Sequence, residues 1–342
     1  MNKFKSFLFK CWAFIRKFPV VITLSILIPS LLYTGRFIFS ARFLNFGNLY
    51  FKGNSFNYDP STFKIKGWNK VFKVPEGVSS LNNFQGATIK DNEYVLVANN
   101  FEVIMIYNLD TYHLEHIIYT GYNNTEWHCN NVYFGTSYCS TSDEFPLLYC
   151  SMESEKVHAT IAFRIYQKGG DYKVEPIQKI TFEGEGEYKV NLANSYLSLE
   201  TESLYLGGYT NKDFYETNNN QMKYYRFPLP DYRVGDITYY TDEDSYVYTL
   251  PAMTANQGGF VSGNILYQAF SFNEKEGERV PKFRVIDLDD GTIYYSCNNT
   301  GEITGLYDEI ENVVPYDGRL FSFGIKTMSV YEMIFEALER NE

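Results

Sequence analysis

Four polar side chains and one indole stand where short apolar strands begin. Gln85 lies at the start of FQGATI and Gln257 at the start of the related NQGGFV, whereas His128 and Asn130 begin HCNNVYFG. Amides and an imidazole that converge can hydrogen-bond a polar ligand such as a glycan, and Trp127 could stack on a sugar ring. These five are the candidate ligand-binding residues. The alternative is structural: the amides satisfy backbone groups at strand starts, and the indole packs in the core.

No residue is assigned a catalytic role. The sequence contains no P-loop, no H-E-x-x-H, no C-x-x-C and no G-x-S-x-G, so the standard catalytic signatures are absent. An enzyme would need two converging titratable groups, and His128 with Glu93 or Asp143 is the first pair to inspect. Asp143 and its neighbour Glu144 alternatively bind an ion, cap a loop or are simply solvated.

No cofactor and no metal ligand is predicted. Calcium is considered only for Glu183, Glu185 and Glu187, whose carboxylates suit that ion but are separated by flexible glycines. The run DLDDG at 287–291 lacks the glutamate that completes a calcium loop, because Asn298 occupies the twelfth position. We therefore expect a hairpin turn there.

Charge is unevenly distributed along the 342 residues, whose formal net charge is −11. Eight basic residues and no acid precede Asp59, so this segment carries +8 and the remainder carries −19. An acidic body repels phosphates, and we expect no nucleic-acid partner. Aromatic residues make up 18% of the chain, which favours strands over helices.

The N-terminal segment has the features of a membrane anchor. Residues 18–34 contain no charge and follow five basic residues. We expect a cytoplasmic segment at 1–17, a transmembrane helix at 18–39 and a linker at 40–63. The remaining chain would then lie outside the cytoplasm on a single-pass anchor in the cell or inner membrane. A cleaved signal peptide and a buried or interfacial helix stay open as alternatives, although large rings occupy the candidate cleavage sites.

Cysteines occur at positions 11, 129, 139, 150 and 297. The last four lie on the expected outer side, where disulfides can form. Cys139 and Cys150 could face each other across a hairpin. The alternative is that the cysteines are small buried strand residues. Their spacings match no zinc pattern.

The body of the chain has the organisation of a β-propeller. Short apolar strands alternate with turns, and FQGATI with its following strands recurs as NQGGFV with a similar succession, in units of roughly 43 to 50 residues. Counting the units predicts an all-β, five-bladed propeller over residues 64–335, with six blades as the rival because 211–250 could hide one. The last unit lacks an outer strand, and the segment KVFKV at 70–74 could supply it. We expect one or two helical turns at 331–338. Residues 336–342 are expected to form a C-terminal tail.

The strings HCNNVYFG…DEFPLLYCS and FQGATIKDNEYVLVANN resemble uncharacterised extracytoplasmic propeller proteins of gut anaerobic bacteria, over roughly residues 65–335. A looser similarity to the propellers of phage receptor-binding and teichoic-acid synthesis proteins implies polymer binding. The stretch Phe84-Gln85-Gly86 is similar to the opening of five-bladed glutaminyl cyclases, but the following strand lacks the glutamate those enzymes carry. That resemblance therefore implies the fold without cyclase activity.

Three functions remain open at this stage. The first is a binding module for a glycan or a protein partner. The second is a hydrolase, lyase or cyclase that acts in the central channel. The third is a rigid assembly platform, which would carry an apolar patch on its rim.

Overall fold

The computed structural model describes residues 56–75, 84–122, 128–153, 158–212, 220–271 and 280–340. The expected anchor at 18–39, the segment before it and most of the linker lie outside these residues, as does Trp127. No helix in the described part of the chain is long and apolar enough to cross a membrane.

Five sheets form the blades of a propeller, and the first strand, β1 (Lys64–Lys73), belongs to the last of them. Blade 1 contains β2 (Phe84–Lys90), β3 (Glu93–Ala98), β4 (Val103–Asn108) and β5 (Leu114–Tyr119). Blade 2 contains β6 (His128–Phe134), β7 (Leu148–Glu153), β8 (His158–Lys168) and β9 (Asp171–Gly184). In these two blades the first of the four strands is the inner one, and the four strands are antiparallel to their neighbours.

The described residues of the region 211–250 form no sixth blade and complete two others. Blade 3 contains β10 (Asn191–Ser198), β11 (Ser203–Tyr209), β12 (Gln221–Pro228) and β14 (Tyr246–Pro251). Between its last two strands the chain crosses to blade 2, where β13 (Ile237–Thr241) pairs in parallel with β9. This excursion accounts for the extra length that made six blades a rival count.

The last two blades follow the same plan. Blade 4 contains β15 (Asn256–Ser262), β16 (Ile265–Phe270), β17 (Lys282–Asp287) and β18 (Ile293–Cys297). Blade 5 contains β19 (Val314–Tyr316), β20 (Arg319–Gly324), β21 (Ser329–Glu336) and, at its outer edge, β1. The described helices are short: α1 (Thr300–Thr304) and 3-10 turns at Pro60–Thr62, Gly186–Tyr188 and Tyr232–Val234.

The ring is closed by strands from both ends of the propeller. β1 pairs with β21 from Lys64 opposite Glu336 to Lys73 opposite Ser329, so the sequence prediction that an N-terminal strand completes the last blade is confirmed. The helical turns expected at 331–338 are wrong, because β21 lies between β20 and β1 and its backbone is paired on both sides. Closure of this kind leaves no unpaired edge on β21.

The core consists of five apolar clusters, one at each junction between neighbouring blades. In β3, Tyr94 and Leu96 pack with residues of blade 5, while Val95 and Val97 pack with residues of blade 2. A strand that is covered on both faces is apolar at almost every position. This is the physical origin of the short apolar runs that predicted the fold.

Candidate functional site

The inner strands β2, β6, β10, β15 and β19 all begin at one end of the propeller, which we call the mouth. Gln85, Asn130 and Gln257 are buried there, and His128 is exposed at its edge. The four described candidates therefore occupy the starts of inner strands in blades 1, 2 and 4.

Asparagines join the blades around the mouth. We define the amide belt as Asn130, Asn131, Asn194 and Asn312, because each donates from Nδ2 to a backbone carbonyl of another blade. The Asn130 amide reaches from blade 2 to the carbonyl of Asn256 in blade 4 at 2.8 Å. Blades 2 and 4 are not neighbours in the ring, so this bond spans the central channel.

Three further bonds, made by two belt asparagines, join neighbouring blades. Asn194 Nδ2 donates to the carbonyls of Asn256 and Gln257 at 3.0 and 2.5 Å. Asn312 Nδ2 donates to the carbonyl of Gln85 at 2.7 Å, which joins blade 5 to blade 1. These bonds satisfy buried carbonyl groups at the strand starts, as the structural alternative expects.

The Gln257 side chain also makes hydrogen bonds that hold the fold together. Its Nε2 donates to the carbonyl of Ser271 at 2.7 Å and to Glu309 Oε1 at 3.1 Å. The glycine after each glutamine serves packing. A Cβ on Gly86 would lie 2.7 Å from Val132 Cγ1, and one on Gly258 would lie 2.9 Å from the carbonyl oxygen of Glu311. The repeated Gln-Gly pair thus reflects the close approach of inner strands.

Three buried amide atoms at the mouth have no hydrogen-bond partner in the described part of the chain. They are Gln85 Oε1, Asn130 Oδ1 and Asn256 Nδ2. Two acceptors and one donor are therefore left over after the belt has formed. An unpaired buried polar atom costs about 1–3 kcal/mol, so such atoms are normally met by water or by a ligand.

A row of titratable groups crosses blade 2 at the mouth. Glu153, the last residue of β7, lies directly opposite His128 in β6 and opposite His158 in β8. Directly paired residues of antiparallel strands point to the same face, with Cβ atoms about 5 Å apart. Burial raises the pKa of Glu153 to about 8, so its carboxyl is mostly protonated at neutral pH.

Both histidines of this row favour the neutral form. Desolvation by the surrounding protein lowers the pKa of His128, although part of its ring is exposed. Burial also lowers the pKa of His158, and the carbonyl of Val190, which favours the charged ring, opposes this effect. A neutral acid thus stands between two imidazoles that can accept a proton.

The acid–base pairs inspected first in the sequence are not formed. Glu93 begins β3, at the end of blade 1 opposite the mouth, where burial raises its pKa to about 7. Asp143 follows β6 at the same far end and accepts two bonds from Arg164, both at 2.8 Å. Glu144 beside it accepts from the Tyr172 hydroxyl. These acids hold a loop and do not approach His128.

The sequence interpretation missed Asn194, Asn256, Asn312 and Glu153. A signal existed for the asparagines, since LANS, NQGG and ENVV each place one at the opening of a blade. Glu153 could have been found by pairing the hairpin β6–β7 outward from its turn, which sets the glutamate against His128. In the described ranges, no three His, Cys, Asp or Glu side chains converge as metal ligands.

Comparison with solved structures finds distant likenesses in fold. The glutaminyl cyclase of Myxococcus xanthus is 11% identical, with 80% of this chain and 98% of that chain covered and a TM-score of 0.43. An exo-β-1,3-galactanase of Phanerochaete chrysosporium with bound β-1,3-galactotriose is 11% identical, with 81% and 64% covered and a TM-score of 0.46. An α-L-arabinofuranosidase of Podospora anserina is 8% identical, with 80% and 98% covered and a TM-score of 0.45.

No protein-family model and no curated protein matches the sequence. The five sheets of this chain support the resemblances stated from the sequence in their common element, the propeller fold. The narrower resemblance to propellers of gut anaerobes or of phage receptor-binding proteins stays a prediction. Similarity at this distance carries no activity, substrate or partner to this chain.

Proposed function

We propose that this propeller is a membrane-anchored, extracytoplasmic binding module that takes a neutral, hydroxyl-rich ligand, such as a glycan, at its mouth. The observation that carries the proposal is the set of three buried amide atoms without partners. Glycan hydroxyls both donate and accept hydrogen bonds, so they suit two acceptors and one donor. A carboxylate or phosphate ester dianion only accepts, and it would leave Gln85 Oε1 and Asn130 Oδ1 unmet.

The remaining candidates have supporting positions in this proposal. His128 stands exposed beside the amides and could hydrogen-bond the same ligand, while Gln257 holds the blade 4 opening in place. Trp127 precedes His128 in the sequence and is proposed to stack on a sugar ring. Water would satisfy the amide atoms in the free protein, and ligand hydroxyls would replace it at little enthalpic cost.

The test is a glycan array and a thermal-shift screen of residues 56–342, with calcium present and absent. A ligand that binds the native state raises the melting temperature by mass action. We expect Gln85→Met to abolish the shift, because it keeps the shape of the side chain and removes the unpaired acceptor. Gln178→Met is the matched control, since Gln178 is also buried with an unpartnered Oε1 but lies on β9, away from the mouth.

A glycan-dependent shift that Gln85→Met leaves unchanged would place binding elsewhere and overturn the mouth as the site. No shift with any glycan or ion would end the small-ligand proposal. Binding of a protein partner, or a role as an assembly platform, would then be the favoured function.

An enzyme is the second candidate, and the row His128–Glu153–His158 favours it. Glu153, protonated at neutral pH, would donate its proton to a leaving oxygen, and a neutral histidine would take a proton from the attacking water. In that case Glu153→Gln should abolish hydrolysis of a bound glycan and retain its binding. Binding without turnover by the unchanged protein would exclude this candidate.

The membrane anchor is proposed from the sequence of residues 18–39. Membranes of expressing cells should retain the full chain after alkaline carbonate washing, and a chain starting at residue 56 should be released. Protease added to intact spheroplasts should digest the propeller if it lies outside the cytoplasm. Protection of the propeller would reverse the proposed orientation.

A further inference from the structure

A buried arginine lies between blades 3 and 4, outside the site proposed above. Arg284 belongs to β17, and only 4% of the residue is exposed. Its neighbours across the sheet are Gln268 in β16 and Ser296 in β18. No carboxylate of the described residues forms an ion pair with it. Two of its nitrogens, Nε and Nη1, have no hydrogen-bond partner among those same described residues.

Aromatic side chains form the surroundings of this guanidinium. The Arg284 guanidinium carbon lies 5.5 Å from the centre of the Phe270 ring. Tyr224 is within hydrogen-bonding reach, and Tyr209 and Tyr248 are close enough to interact electrostatically. A cation over a ring is stabilised, but by only about 0.5–2 kcal/mol.

The tyrosines cannot act as the counter-ion. Burial raises the pKa of Tyr209 and of Tyr248, and it raises that of Tyr224 to about 12. All three are neutral hydroxyls at neutral pH. The Tyr224 hydroxyl donates to Gln268 Oε1 at 2.9 Å, and the Tyr209 hydroxyl donates to the carbonyl of Thr254 at 2.8 Å. The oxygen of a neutral hydroxyl can accept a hydrogen bond from the guanidinium, but it carries no charge that would balance the guanidinium.

A buried guanidinium that has no counter-ion among the described residues is energetically unfavourable. The guanidinium stays protonated in proteins, so it cannot escape the cost of burial by becoming neutral. Buried charges are accordingly found paired with an opposite charge. The two unpaired N–H groups indicate where an oxyanion would bind.

We propose that Arg284 binds the carboxylate of a small organic acid between blades 3 and 4. A carboxylate carries one negative charge, which balances one guanidinium, whereas a dianion would leave a net negative charge buried among aromatic rings. Carboxylate oxygens are also good acceptors for guanidinium N–H groups. Phe270 and Tyr209 end their strands on the side of the mouth, and the ligand would enter from that side.

The experiment measures the melting temperature of the full-length protein in detergent while sodium acetate replaces sodium chloride at constant ionic strength. We expect a saturable rise, of about 5 °C at 100 times the dissociation constant for a propeller of this size. Arg284→Gln should remove the rise. It should also melt no lower than the unchanged protein in chloride, because a neutral amide no longer buries a charge.

Arg226→Gln is the matched control. Arg226 lies on β12 of blade 3, is partly exposed and pairs with Asp289, so its loss should leave the acetate response intact. Direct binding is checked by line broadening of carbon-13-labelled acetate in the presence of protein, which should be absent with Arg284→Gln. Sodium phosphate in place of acetate should change the melting temperatures of the unchanged protein and of Arg284→Gln by the same amount, because its stabilising effect is a general one of the salt.

Three outcomes overturn the proposal. The first is a melting temperature of the unchanged protein that acetate does not alter, whichever result the variants give. The second is a rise that Arg284→Gln still shows, which indicates a general salt effect. The third is an acetate response gained only after Glu274, Glu276 and Glu278 are changed to Gln, because the chain itself would then supply the carboxylate. None of these results bears on glycan binding at the mouth, which uses different residues.

Discussion

At the scale of single residues, Glu153 is a carboxyl group that the fold buries. The glutamate is 8% exposed, and burial is the cause that raises its pKa to about 8. The folded protein therefore keeps a proton that the unfolded chain releases above a pKa of about 4.3. Between these two values the folded state binds more protons, and stability falls as pH rises.

This linkage gives a prediction for Glu153→Gln. As pH rises from roughly 4.3 to 8, the unchanged protein should lose up to about 1.4 kcal/mol of stability per pH unit. The amide of the variant cannot ionise, so this loss should be absent from the variant. Urea denaturation at pH 5 and pH 8 measures the effect. The stability of the variant relative to the unchanged protein should be about 3 to 4 kcal/mol higher at pH 8 than at pH 5. Parallel pH profiles would mean that the carboxyl is already ionised in the fold.

The cysteines give a second prediction at this scale. Cys150 forms a thiol contact with Cys129 on the neighbouring strand, and both are buried in the cluster between blades 1 and 2. Cys139 packs in the cluster between blades 2 and 3, on the other side of the blade. The pairing of Cys139 with Cys150 considered from the sequence is therefore wrong, because the two side chains lie on opposite faces.

Thiol labelling checks this arrangement. In the folded, reduced protein, an alkylating reagent should modify Cys139 and Cys297, which are half-buried, long before Cys129 and Cys150, which are fully buried. Peptide mapping by mass spectrometry reports each site, and labelling in denaturant provides the control in which all four react. Early labelling of Cys150 would contradict the packing of blade 2.

At the scale of elements, the inner strands approach one another at the mouth more closely than side chains permit. Gly258 lies against the backbone of residue 311, and an added Cβ would lie 2.9 Å from that carbonyl oxygen. We expect Gly258→Ala to lower the free energy of unfolding by about 1–3 kcal/mol, since backbone atoms cannot move aside as a side chain can.

Gly67→Ala is the matched substitution. A Cβ on Gly67 would meet only the side chain of Ile334, at 3.5 Å, and should change stability by about 0.5 kcal/mol or less. Urea titrations of both variants test the comparison. Equal effects would show that β15 has room to shift and that the Gln-Gly repeat has another cause.

The same elements show what could be predicted from the sequence. Strands covered on both faces leave apolar runs such as YVLVA, and these predicted the blades and their number. The parallel addition of β13 to blade 2 could not be predicted, because a strand paired on one edge has the same residues whichever blade it joins. The helical turns expected at 331–338 failed for a related reason: apolar residues at 330, 333 and 334 suit a helix face and a central strand alike.

Prediction of the candidate site from the sequence was limited because its residues lie far apart along the chain. Polar residues at blade openings were predicted to lie together because every blade begins at the same end. The bond from Asn130 to residue 256 joins positions that are 126 residues apart, and no local pattern indicates it. Glu153 faces His128 only because the hairpin between them has one particular register.

At the scale of the whole molecule, stability depends on how the ring is closed. The N-terminal segment contributes to both junctions of blade 5: Phe63 and Ile65 pack with blade 4, and Phe72 and Val74 pack with blade 1. Phe63 is 1% exposed, and its ring lies 5.3 to 5.7 Å from those of Phe335 and Phe283. One side chain thus links the closing strand to two blades.

Phe63→Ala should therefore weaken the whole propeller and not only its first strand. Loss of a buried phenylalanine lowers the free energy of unfolding by about 3–5 kcal/mol. Tyr119→Ala is the control: it removes a ring that is 73% exposed and should lower the free energy of unfolding by about 0.5 kcal/mol or less. Two signals follow unfolding in urea: tryptophan fluorescence, to which Trp68 on β1 contributes, and circular dichroism, to which all blades contribute. The midpoints of both transitions should fall to the same lower urea concentration. If the fluorescence transition alone moved, β1 would detach by itself, and the other four blades would be stable without a closed ring.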